Sequence, residues 1–124
     1  MKKIILSPKA PPPLGPYSQA VEVNGIIFCA GQIPLDHTGQ NVTGDIRVQT
    51  EQVMKNIEAV LTAAGVTFKN VVKTNIFMTD LKDFASMNEI YGRFFPENPP
   101  ARSTVQVSAL PKGVNVEIEV TAVR

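Results

Sequence analysis

The sequence predicts an α+β fold: a single mixed sheet with two helices packed on one of its faces. Three observations carry that prediction. Ala20-Val21-Glu22-Val23 and Ile26-Ile27-Phe28-Cys29-Ala30 flank Asn24-Gly25, a pair that favours the positive φ angles of a type I′ hairpin turn. Two later stretches switch to the 3.6-residue period of amphipathic helices. The chain then finishes in strict period-2 alternation, the pattern of a half-buried strand.

In order, the opening segment to Pro16 is irregular, because Pro8, Pro11, Pro12, Pro13 and Pro16 remove backbone donors and fix φ. It reads either as a linker or as an ordered arm, with room for a short strand at Lys3 to Leu6. After the hairpin, Asp36-His37-Thr38-Gly39-Gln40-Asn41 is turn chemistry. A helix is expected from about Asp45, with Ile46, Val53, Ile57, Val60, Leu61 and Ala64 on one stripe and Gly65 as its stop. Val71 to Met78 is β-rich. Asp83 is the expected N-cap of a second helix whose stripe is Phe84, Met87, Ile90, Tyr91, Phe94 and Phe95, ended by Pro96. Glu97-Asn98-Pro99-Pro100 is a loop. In the last strand Val114, Val116, Ile118, Val120 and Ala122 alternate with Asn115, Glu117, Glu119, Thr121 and Val123. The strand before it alternates Arg102, Thr104 and Gln106 with Ser103, Val105 and Val107, and Ser108 to Gly113 is read as an antiparallel return between the two. The uncovered sheet face would mix apolar and polar side chains, which suits burial against a second copy. A homo-oligomer is therefore expected.

Length and composition narrow the chemistry. The 124 residues suit one domain, residues 1–124. A net charge of +1 gives no global attraction for nucleic acid or anionic membrane. One Cys and one His rule out an internal disulfide and a four-ligand zinc site, and any nucleophilic triad would depend on His37 alone. Phosphate-loop and dinucleotide glycine patterns are absent. No segment reaches the ~20 apolar residues of a membrane span. The apolar run after Lys2-Lys3 stops at Ser7-Pro8, short of a signal sequence, so a cytoplasmic protein with a reduced thiol is expected. Chemistry here must run on carboxylates, arginine, lysine, hydroxyls and backbone.

Pairing the last two strands with their apolar faces in register sets Val107 opposite Val114, Val105 opposite Val116, and Ser103 opposite Ile118. Arg102 then faces Glu119 and Thr104 faces Glu117, with Arg102 and Glu117 as diagonal neighbours about 7–8 Å apart. A guanidinium suits a planar carboxylate because it donates two parallel hydrogen bonds, and a glutamate beside it can hold and activate a water. The alternative, which the pattern alone favours, is a cross-strand ion pair on an exposed face. Elsewhere, His37 reads as an exposed loop residue and Cys29 as a small core residue. Lys73 reads as an outward-pointing lysine. Asn88 and Tyr91 could face a pocket, and Gly31 could let backbone approach a ligand.

Four segments together resemble the reactive intermediate deaminase (RidA/YjgF) family: Gly15-Pro16-Tyr17-Ser18-Gln19-Ala20, Ala30-Gly31-Gln32-Ile33-Pro34, Pro100-Ala101-Arg102-Ser103-Thr104 and Val116-Glu117-Ile118-Glu119. The likeness spans nearly the whole chain, in order. It implies a chorismate-mutase-like fold assembled as a homotrimer with ligand sites between subunits. It also implies hydrolysis of 2-imino acids and their enamine tautomers, such as 2-iminobutanoate and 2-iminopropanoate released by pyridoxal-phosphate-dependent dehydratases, to 2-keto acids and ammonia. By that resemblance Arg102 binds the substrate carboxylate with the backbone N–H of Thr104. Glu117 positions the attacking water, and Tyr17, Gly31 and Asn88 line the cleft. An imine is electrophilic enough that neither metal nor cofactor is expected. Two positions depart from the pattern: Ala30 stands where many relatives carry Ser, and Thr104 where several carry Cys. Two other function classes are carried beside this one. One is a non-catalytic binder of small carboxylates such as 2-keto acids. The other is RNA cleavage or translation inhibition, against which the balanced charge argues.

Overall fold

In the computed structural model, which describes residues 1–124, the chain runs β1 (Lys3–Ile5), β2 (Ala20–Val23), β3 (Ile26–Gln32), α1 (Ile46–Ala63), β4 (Val71–Met78), α2 (Phe84–Gly92), β5 (Ala101–Gln106) and β6 (Val116–Val123). The expected hairpin is present, with Asn24 at φ 51° and Gly25 at φ 78° between β2 and β3. The α1 helix starts where Asp45 accepts a hydrogen bond from the Val48 N–H, a cap that contributes about 1 kcal/mol. It stops before Gly65, at φ 79°. At α2 the capping differs from expectation. Asp83 makes no capping bond; it ends a 3-10 turn, Leu81–Asp83, whose own cap is Asp80 accepting from the Lys82 N–H. Two acidic residues three positions apart can each open a turn, and the 3-10 turn takes the earlier one.

The six strands form one sheet in the order β1-β2-β3-β6-β4-β5, with β4 and β5 parallel and every other pair antiparallel. The connections β3-α1-β4 and β4-α2-β5 both join strands of like direction and both step toward the same edge. Crossovers of one hand stepping one way leave their helices on the same face, so α1 and α2 lie side by side. That face holds a core cluster of 23 buried residues. Val53, Met54, Ile57 and Val60 of α1 pack in it with Ile27, Ile76 and Ile118 from the sheet, all at 0 % exposure. Each such side chain is stabilised by about 1.5–3 kcal/mol through loss of contact with water. No helix is long and apolar enough to cross a membrane.

The expected antiparallel pairing of the last two strands is not formed. β4 lies between them, pairing Ile76 with Thr104 on one side and with Ile118 on the other. The segment from Val107 to Asn115 is therefore a traverse to the sheet centre rather than a hairpin. Pairing also inverts the assumed faces of β5. Arg102 and Thr104 neighbour the buried Thr74 and Ile76 and look toward the helices, whereas Val105, 47 % exposed, looks the other way. The helix-free face also carries Ile4 and Phe28, 54 % and 45 % exposed in the single chain.

The proline-rich opening is an ordered arm. The Gln19 side chain, 1 % exposed, accepts from the Ser7 N–H at 2.6 Å and donates to the carbonyls of Ser7 at 3.1 Å and Pro11 at 2.9 Å. Its own carbonyl accepts from the Ala30 N–H at 2.9 Å. One residue thus ties the arm to β3.

Candidate active site

The six residues singled out in the sequence fall into two groups on opposite faces of the sheet. The first is built by β5 and α2. Phe84, Asn88 and Tyr91 follow one another at spacings of four and three, which places them on one stripe of α2. Arg102 reaches that stripe from the edge strand. Its Nη1 donates to Asn88 Oδ1 at 2.7 Å, and its Cζ lies 5.0 Å from the Tyr91 ring centroid and 5.5 Å from that of Phe84. Arg102 belongs to none of the chain's four ion pairs. A guanidinium has five N–H donors and no acceptor, so most of this one's capacity is unclaimed. Thr104 sits two residues along the same face, with its Oγ1 buried and unpartnered.

The second group lies on the helix-free face, in a pocket of about 360 Å³ that includes Leu14, Tyr17, Ala30, Gly31, Ile33 and Glu117. The arm delivers Tyr17, whose hydroxyl accepts from the Leu14 N–H at 3.1 Å. β3 delivers Gly31 at a bulge, where register slips between Cys29 and Gln32 against β6. A Cβ at Gly31 would overlap the Glu117 carboxylate, which runs across the bare backbone there. Glu117 is half-buried. Burial pushes its pKa above the usual carboxylate range, and the like charge of Glu119 adds to that shift.

Arg102 and Glu117 are therefore not diagonal neighbours. They sit two strands apart, on opposite faces, and no small molecule bridges them within one chain. His37 and Cys29 belong to neither group. His37 is exposed in its turn, and Cys29 is buried, its thiol pushed up to about 12 by that burial, so it is inert as a nucleophile. No three His, Cys, Asp or Glu side chains converge to hold a metal. The contributions of Thr74 and Gln19 were missed. For Gln19 the only cue was a polar residue at the entrance of a strand, whereas the stripe of Phe84, Asn88 and Tyr91 could be read from spacing.

The fold is a small mixed sheet with two helices on one face, with an arginine outside every ion pair at one edge and a half-buried glutamate behind a glycine bulge. The chain matches the endoribonuclease L-PSP family model over residues 7–124, and it belongs to that family, which includes the Rid/YjgF proteins. It is 46% identical to human 2-iminobutanoate/2-iminopropanoate deaminase, across 100% of this chain and 91% of that one. Among solved structures it superposes with a TM-score of 0.97 on a Rid-family protein from Yersinia pestis, at 51% identity and 100% coverage of both chains. With TdcF of Escherichia coli containing bound serine the TM-score is 0.94, at 42% identity over 98% of each chain.

Proposed function

We propose that this protein hydrolyses 2-imino acids and their enamine tautomers, with 2-iminobutanoate and 2-iminopropanoate as representative substrates, to 2-keto acids and ammonia. It would work in the cytoplasm as a homotrimer with sites between copies. The observation that carries this reading is Arg102, a partly buried guanidinium oriented by Asn88 and two rings but lacking a carboxylate partner. Such a fork fits a substrate carboxylate, and the Thr104 N–H adds a second donor. Glu117 supplies the base. As water oxygen bonds to the carbon of a protonated C=N group, Glu117 takes one water proton and a neutral carbinolamine forms. The same proton then passes to nitrogen, the C–N bond breaks with loss of ammonia, and the hydroxyl proton leaves as the keto group forms. A carboxyl held above its ordinary pKa is better matched to both transfers. Within a trimer, one copy would provide Arg102, Asn88 and Thr104 and its neighbour Tyr17, Gly31 and Glu117. Support comes from the placement of the two groups on opposite faces and from the exposed Ile4, Phe28 and Val105 on the helix-free face, which a second copy would cover. The site needs no metal or cofactor for this chemistry.

The decisive experiment measures keto-acid and ammonia release when the protein is added to a dehydratase generating the imine. Arg102→Ala and Glu117→Ala are expected to lose at least about a hundredfold in activity while staying folded; hydrolysis at the parent rate by both would overturn the assignment. A second reading, a non-catalytic binder of small carboxylates, takes support from the serine bound to the Escherichia coli relative. For a binder, Glu117→Gln would change nothing, because the parent would show no turnover to lose.

A further inference from the structure

The Arg102 clamp rests on contacts that the hydrolysis does not itself use. The Tyr91 ring beside the guanidinium is 5 % exposed, and its hydroxyl shares a 2.8 Å hydrogen bond with Thr74 Oγ1, which is fully buried. Thr74 is the register partner of Arg102 across the β4–β5 pair. The ring is therefore tethered, through its own hydroxyl, to the strand adjoining the one that carries the arginine. Asn88 fixes one guanidinium nitrogen from the same helix, and the Tyr91 ring holds the group's centre through a cation–π contact. A free arginine side chain would lose several rotatable degrees of freedom on capturing a ligand. A side chain already held shifts that cost to folding, and affinity rises accordingly.

We propose that Tyr91, anchored by Thr74, is a positioning residue that presets the Arg102 guanidinium for a substrate carboxylate. Tyr91 reaches the substrate only through Arg102. The identity of the carboxylate rests on the imine-hydrolysis reading, but the coupling among Thr74, Tyr91 and Arg102 does not.

The test compares Tyr91→Leu, Tyr91→Phe and Thr74→Val in two assays. One is imine hydrolysis, with KM and kcat separated; the other is calorimetric binding of 2-oxobutanoate. Tyr91→Leu, which removes the ring, should raise KM and the keto-acid Kd about tenfold, the equivalent of one lost cation–π contact, with kcat within about twofold of the parent. Tyr91→Phe keeps the ring and loses only the tether, so it should recover most of the loss, leaving a rise of about two- to threefold. Thr74→Val should match Tyr91→Phe, and the double variant should be no worse than either alone, because both cut one bond. An imine with its carboxylate masked as a methyl ester should be hydrolysed by all variants at the parent's rate.

Unchanged KM and Kd in Tyr91→Leu overturn the proposal, as does an equal fall in kcat for the free acid and the ester, which would mark a merely structural role. Should Tyr91→Leu fail to fold, Thr74→Val and Tyr91→Phe decide alone, and parent-like Kd in both overturns the proposal. Arg102→Ala separates the two levels. If it leaves Kd and KM unchanged, the functional reading itself fails; if it raises them while Tyr91→Leu does not, only the positioning role fails.

Discussion

At Glu117 the packing of β3 against β6 sets the protonation of the carboxylate that the proposed hydrolysis uses as its base. The bulge at Gly31 removes a side chain so that the glutamate can lie across backbone, and the resulting burial, together with Glu119, holds its pKa above that of an ordinary glutamate. In the folded state the carboxyl therefore keeps its proton to higher pH than in the unfolded chain. The stabilising contribution of the protonated form is complete below the unfolded value and is lost as pH rises through the raised one. In the proposed hydrolysis, activity runs the opposite way, since only the carboxylate can take a proton from water. The acid limb of the kcat/KM profile should accordingly sit above the ordinary glutamate range, with rate rising as pH rises through it. Glu119→Gln removes the like charge and should shift that limb to lower pH, read from profiles of parent and variant side by side. A limb that does not move would show that burial alone sets Glu117.

At the scale of elements, the arm from Ser7 to Tyr17 has no regular structure of its own to hold it; Ala10 packs into the core, and the hydrogen bonds that fasten Ser7 and Pro11 run through Gln19. Gln19→Leu strands the Ser7 N–H and the Pro11 carbonyl without their partners and leaves the Ser7 carbonyl only the Ala10 N–H, at 3.4 Å. Orphaned buried groups of this kind cost about 1–3 kcal/mol each, and partial access of water to a loosened arm brings the expected loss to roughly 2–4 kcal/mol. Denaturant unfolding should report it, and trypsin should cleave at Lys9 faster in the variant; an unchanged midpoint and cleavage rate would show that the arm is held otherwise. Elements of this molecule were legible where one local signal decides them. Asn24-Gly25 dictates a turn, Asp45 and Gly65 bracket α1, and the alternation of β4 and β6 follows from burial on one side. What escaped was pairing. Arg102 to Val107 and Val114 to Val123 are both alternating strands joined by a short segment, and nothing in either states that β4 will enter between them. That insertion follows from two like-handed crossovers, a property of the whole chain, and it moved Arg102 to the helix face. The residues of the two clusters could thus be named from the sequence, whereas their arrangement on opposite faces could not.

At the scale of the whole molecule, Arg102 and Glu117 lie on opposite faces of the sheet with β4 between their strands, so the proposed hydrolysis makes the number of copies part of the chemistry. If a working site takes its arginine from one chain and its glutamate from the next, two inactive variants can repair one another. Arg102→Ala chains still offer Glu117, and Glu117→Ala chains still offer Arg102. In a ring of three, every mixed trimer contains one junction where an intact arginine meets an intact glutamate. Random assembly from equal amounts makes about three-quarters of the trimers mixed, each with one working site of three, so about a quarter of parental activity should return. The two variants, each inactive alone, are to be unfolded together and refolded as a mixture, with the sum of the separately refolded proteins as baseline. If both residues of a site came from one chain, each chain would lack one of them whatever its neighbours, and mixing would restore nothing. Recovery near a quarter therefore supports a split site on a three-membered ring. A plateau near half is excluded for that ring, because no arrangement of the two variants around three positions yields more than one repaired junction.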